Sequence, residues 1–131
     1  MLTRQELQKI AKATLQDAEA LFLSKRYDGS IYLCGYAVEI GLKDKICKTL
    51  RWKGFPSTGS EFQNFQSFKT HNLDILLKLS GIEEKIKETF FDAWSIVTKW
   101  EPEVRYRLVG SVTKEDAELM IEATKLLLRA L

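Results

Sequence analysis

The chain carries a single histidine and two cysteines in 131 residues. Nothing in their spacing resembles a zinc site, so no metal and no cofactor are expected. Cys34 and Cys47 fall on one predicted helix. At a rise of about 1.5 Å per residue they stand about 20 Å apart, beyond the reach of a disulfide. Two free thiols without a disulfide framework predict a reducing compartment. Glycine-rich phosphate loops, dinucleotide fingerprints and the His-Glu-x-x-His pattern are all missing, which removes the usual cofactor and metalloenzyme classes. No apolar run approaches the roughly 18 residues of a membrane span. The first residues hold no signal-peptide core and open directly into a helix. These features predict a cytoplasmic protein with no membrane partner. The formal net charge of +2 is too small to argue for nucleic acid by itself. Strand-like alternation, internal repeats and low-complexity tracts are also lacking.

What is present is helical periodicity. Thr3 and Glu6 match a capping box, with Leu2 and Leu7 as its hydrophobic staple. Leu7, Ile10, Ala11, Leu15, Ala18, Leu21 and Phe22 then recur at helical spacing to about Ser24. After a turn at Lys25–Gly29, Asp28 or Ser30 is the expected N-cap of a second helix reaching about Arg51. This helix is apolar on nearly every side, as a bundle's centre should be. Gly35 and Gly41 interrupt it at about 1 kcal/mol each. Close approach of a neighbouring helix is the expected compensation. Asn72 should cap a short helix, Leu73 to Ser80, closed by Gly81. A fourth helix buries Ile86, Phe90, Ala93, Trp94 and Val97, Pro102 marks a break or a first turn, and Thr113 with Asp116 opens the last helix. The expected fold is all-α, an up-and-down bundle of four long helices plus a short helix, in one domain over residues 1–131.

Four features stand out from this frame. Glu39 and Lys43 form an i, i+4 pair in the middle of the apolar helix, with the acid in the favoured N-terminal position. They are either a structural ion pair or part of a ligand or dimer cleft. Arg105, Tyr106 and Arg107 follow Pro102; they are a tied-down helix end, or a phosphate fork beside a ring that can stack a base. His71 precedes a helix start, where it either packs or reaches a phosphate. Trp52, Phe55, Phe62, Phe65 and Phe68 place five of the fourteen aromatic residues in an irregular segment. That segment packs on its own bundle, meets a partner, or offers a stacking platform for a single strand. A homodimer is expected from this excess of apolar surface.

The order of these pieces resembles the HEPN domain, a nucleotide-binding family of higher eukaryotes and prokaryotes. The resemblance rests on five segments taken in order. They are the Ala-rich first helix ending at Leu21-Phe22, then Arg26-Tyr27-Asp28, Ala37-Val38-Glu39-Ile40-Gly41-Leu42-Lys43, Lys69-Thr70-His71-Asn72-Leu73, and Trp100 to Tyr106. It implies a dimerising helical bundle that binds nucleotide or RNA, with Arg105, Tyr106, Arg107, Glu39, Lys43 and His71 as ligand-binding residues. A minimal nucleotidyltransferase is the implied partner. Many such domains are metal-independent RNases that use an arginine, a short spacer and then a histidine. From Arg105 or Arg107 that spacer ends between Gly110 and Lys114, where Ser111 and Thr113 stand but no histidine. A hydroxyl there needs a separate base to take a proton. The resulting expectation is a binding and dimerisation module with no catalytic residues. A HEPN-type RNase or toxin with an altered site, and a purely structural dimerisation module, are the alternatives.

Overall fold

The computed structural model describes residues 1–107 and 109–131, and of Arg105 the backbone alone. The protein is all-α. Helix α1, Arg4–Leu23, lies along α2, Tyr27–Leu50. Three short helices follow: α3 Leu73–Ser80, α4 Glu83–Thr89 and α5 Phe91–Val97. A 3-10 turn, Pro102–Tyr106, leads to α6, Lys114–Ala130. Helix α2 packs against α1, α3 and α6, while α5 lies on α6. Cys34, Ala37, Val38, Leu42, Ile46 and Cys47 of α2 are all buried, so this helix is the axis of the core.

Local signals explain most of the boundaries. The hydroxyl of Thr3 accepts the Glu6 N–H, and the Glu6 carboxylate accepts the Thr3 N–H at 2.8 Å, which completes the capping box. Thr113 and Asp116 do the same for α6. Asn72 Oδ1 accepts the Ile75 N–H at 3.0 Å, and Gly81, at φ 79°, closes α3 in the left-handed region.

Four expectations are corrected. Helix α2 begins at Tyr27, with Arg26 at its N-cap and no side-chain cap. Asp28 and Ser30 are committed elsewhere: Asp28 accepts the Gly110 N–H at 2.7 Å, and the buried Ser30 hydroxyl donates to the Ala18 carbonyl at 2.8 Å. The predicted fourth long helix is divided at Phe90, whose backbone leaves the helical region at φ −123°, ψ 34°. Ile86 before the break and Ala93, Trp94 and Val97 after it are all buried. Three long helices therefore carry the bundle, in place of four. A two-residue antiparallel ladder, Leu2–Thr3 against Gly54–Phe55, joins the start of the chain to the aromatic segment. Finally, what lies against Gly35 is a side chain, the Trp100 indole, whereas Gly41 does meet a helix end at Leu128.

The aromatic segment packs on its own bundle. Trp52 gathers Phe55, Phe65 and Phe68 at centroid distances of 4.9–6.3 Å, and Phe55 meets Phe62 edge-on. Phe55 is fully buried in the main core. Among the described residues no helix is long and apolar enough to cross a membrane.

Candidate functional site

Glu39 lies in the most buried turn of α2 and is only 3% exposed. A carboxylate there needs partners for its charge and its lone pairs. Both oxygens have one. Lys43 Nζ donates to Oε2 at 3.1 Å, and His71 Nδ1 lies 2.9 Å from Oε1. The Lys43 ammonium also stands over the Phe55 ring, 5.3 Å from its centroid, a cation–π contact. Lys43 is thereby turned towards the aromatic segment.

His71 is held by a local frame. The Thr70 hydroxyl accepts the Asn72 N–H at 3.0 Å, and Asn72 caps α3. An ionised carboxylate only accepts, so Nδ1 is the donor to Glu39 and the imidazole orientation is set. The histidine side chain is still 61% exposed. It borders a cleft of about 350 Å³ whose other walls include Thr98, Trp100, Glu101 and Glu103.

Trp100 lies between the two sides of the region. Its indole lies against α2 so closely that a Cβ at position 35 would fall 2.1–2.2 Å from the ring carbons. Only glycine allows that approach. Tyr36 meets the indole edge-on at 5.0 Å. The indole is 4% exposed, and its N–H is buried with no hydrogen-bond partner among the described residues. Such groups are uncommon in folded proteins and call for an explanation. Trp100 also walls a second cleft of about 480 Å³, together with Lys99, Arg107, Ser111 and Asp116. The Asp116 carboxylate accepts the Thr113 N–H at the start of α6.

The site residues read from the sequence are therefore arranged in two groups. Glu39, Lys43 and His71 meet; Arg107 stands on the far side of Trp100, in the second cleft. The Arg105 side chain lies outside the described residues. Tyr106 is 75% exposed and lines neither cleft. Lys99 carries no signal in the sequence, and Trp100 stands there only as the first residue of the Trp100–Tyr106 segment, with no role of its own. Gly35 announces a close neighbour without naming it.

Both thiols are removed from solvent chemistry. Burial pushes the Cys34 thiol up to about 12 and the Cys47 thiol up to about 11. They pack as small apolar groups. Among the described residues no three His, Cys, Asp or Glu side chains cluster as metal ligands. No protein-family model, no curated protein and no solved structure matches the chain, so the chemistry of the two clefts has to be read from their own residues.

Proposed function

We propose that the protein is a HEPN-like helical binding and dimerisation module that takes a nucleotide or a short RNA across Trp100. The observation that carries this reading is the buried, unpartnered indole N–H in a wall shared by two clefts of different character. Lys99 and Arg107 on one side suit phosphate oxygens. His71, Thr98 and the carboxylates of Glu101 and Glu103 on the other suit the donors and acceptors of a base or sugar. The indole N–H is itself closed to solvent, so a ligand acceptor would meet it, and relieve an otherwise costly group, only where binding parts the walls around Trp100. The protein would work as a homodimer beside a nucleotidyltransferase-like partner. The exposed Leu23, Phe91 and Leu119 on α1, α5 and α6 support the dimer, now that the aromatic segment is accounted for within the chain. Light scattering at micromolar concentration tests it, and a mass of one chain removes it.

Calorimetry with adenosine and guanosine monophosphates and with short RNA tests the binding. Each charge-assisted contact contributes about 1.5–3 kcal/mol, so Arg107→Ala should weaken binding by about tenfold or more. Equal binding by wild type and variant, or binding by neither, sinks the reading.

The Glu39–His71 pair favours one second reading, a metal-independent RNase of altered active site. A histidine oriented by a carboxylate is suited to take a proton from a hydroxyl. Metal-free cleavage of an RNA ladder that vanishes in His71→Ala would establish it. Intact RNA with both proteins would exclude it. If neither binding nor cleavage occurs, a structural dimerisation module remains.

A further inference from the structure

A separate cleft opens on the opposite flank of α2, where α1 and the end of α6 converge. Its volume is about 460 Å³, within the range of roughly 300–1,000 Å³ of small-molecule sites. The floor is made by Ala11 and Leu15 of α1, Gly41 of α2, and Leu128 with Leu131. Gly41 is essential to this shape. A Cβ there would fall 2.6 Å from Leu128 Cδ2 and 3.1 Å from Leu131 Cδ1. The floor offers apolar surface and no hydroxyl or aromatic ring.

The rim is different. Lys12, Lys125 and Arg129 surround the cleft with one acidic side chain, Asp44. Asp44 is already satisfied from α1: it accepts from Arg4 Nε at 2.8 Å, from Arg4 Nη2 at 3.3 Å and from Gln8 Nε2 at 3.2 Å. Lys125 is shared with Glu19 at 3.4 Å and Glu122 at 3.8 Å. Lys12 and Arg129, both exposed, pair with no acid among the described residues. An apolar floor under a rim with uncommitted cations complements one kind of molecule, an apolar body bearing an anionic head.

We infer that this cleft binds a free amphipathic carboxylate, one acyl chain per protomer, with its tail over Gly41 and its head at Lys12 and Arg129. A nucleotide is a poor occupant, because the floor has no group to read a base. A cationic amphiphile is disfavoured by the rim.

Dodecanoate, below its micellar concentration, is the probe. Calorimetry on the full chain should give one site in the micromolar range. Dodecyltrimethylammonium, with the same tail and the opposite charge, should bind at least about tenfold more weakly. The Lys12→Glu/Arg129→Glu double variant should reverse that preference while keeping the wild-type melting temperature. Both residues are exposed, and if the reversal unfolds the chain, Lys12→Gln/Arg129→Gln should still weaken dodecanoate by about tenfold. Arg107→Ala should leave dodecanoate binding unchanged. Equal binding of the two amphiphiles, more than one molecule per chain, no binding, or adsorption to phosphatidylglycerol vesicles without dodecanoate binding would each overturn the inference.

Discussion

The imidazole of His71 reaches across 32 positions of sequence to lie 2.9 Å from the buried carboxylate of Glu39. Lys43 holds the other oxygen of that carboxylate. The carboxylate is thus the joint between α2, the aromatic segment under Lys43 and the turn that starts α3. Removing it leaves Lys43, whose side chain is 18% exposed, without its ion partner. Glu39→Ala should therefore cost about 3 kcal/mol, the low end for breaking a buried pair. His71→Ala, at an exposed position, should cost less than about 1 kcal/mol. Urea denaturation of the two variants checks the order; equal costs would show that the histidine, too, is structural.

Gly35→Ala should be strongly disruptive for a single added methyl. The new Cβ would overlap the Trp100 ring, with no flexible chain end to move aside. Overpacking of this kind costs about 1–3 kcal/mol. It should also displace the indole and change tryptophan emission. Gly59→Ala makes the contrast, because a Cβ there meets nothing within 4 Å. Thermal melting should place Gly59→Ala within about 0.5 kcal/mol of wild type.

The buried thiols give a pH prediction. Burial holds both folded pKa values above the ordinary value of 9.0, at about 12 for Cys34 and about 11 for Cys47. The native state thus binds these protons more tightly than the unfolded chain does. Their contribution to stability is complete below about pH 9 and is lost as pH rises towards 11 and 12. Denaturation midpoints should fall across that window, and less steeply in Cys34→Ala. In the same account a thiol reagent at mildly alkaline pH should label the unfolded chain quickly and the native protein hardly at all.

Much of the fold was legible because its signals are local. The Thr3–Glu6 and Thr113–Asp116 caps, the Asn72 cap and the Gly81 stop each depend on residues within one turn of each other. Where a side chain had a distant use, the local rule failed. Asp28 and Ser30 look like caps, yet their oxygens serve Gly110 and Ala18. The i, i+4 pair of Glu39 and Lys43 was readable from spacing; its third member, His71, was not, since no pattern links positions 32 residues apart. Gly35 and Gly41 both announced close neighbours. Only the structure shows that one receives an indole and the other the end of a helix. The division at Phe90 leaves no mark in the sequence, because the apolar period runs through it unbroken.

The most direct test of the proposed ligand site is the indole N–H of Trp100, observed by nitrogen-15 NMR during titration with a nucleoside monophosphate. The resonance is assigned by its loss in Trp100→Phe, which separates it from Trp52 and Trp94. If a ligand acceptor engages this buried donor, its signal moves in proportion to saturation. An unmoved Trp100 signal at nucleotide concentrations that saturate the protein by calorimetry would contradict the assignment of the site.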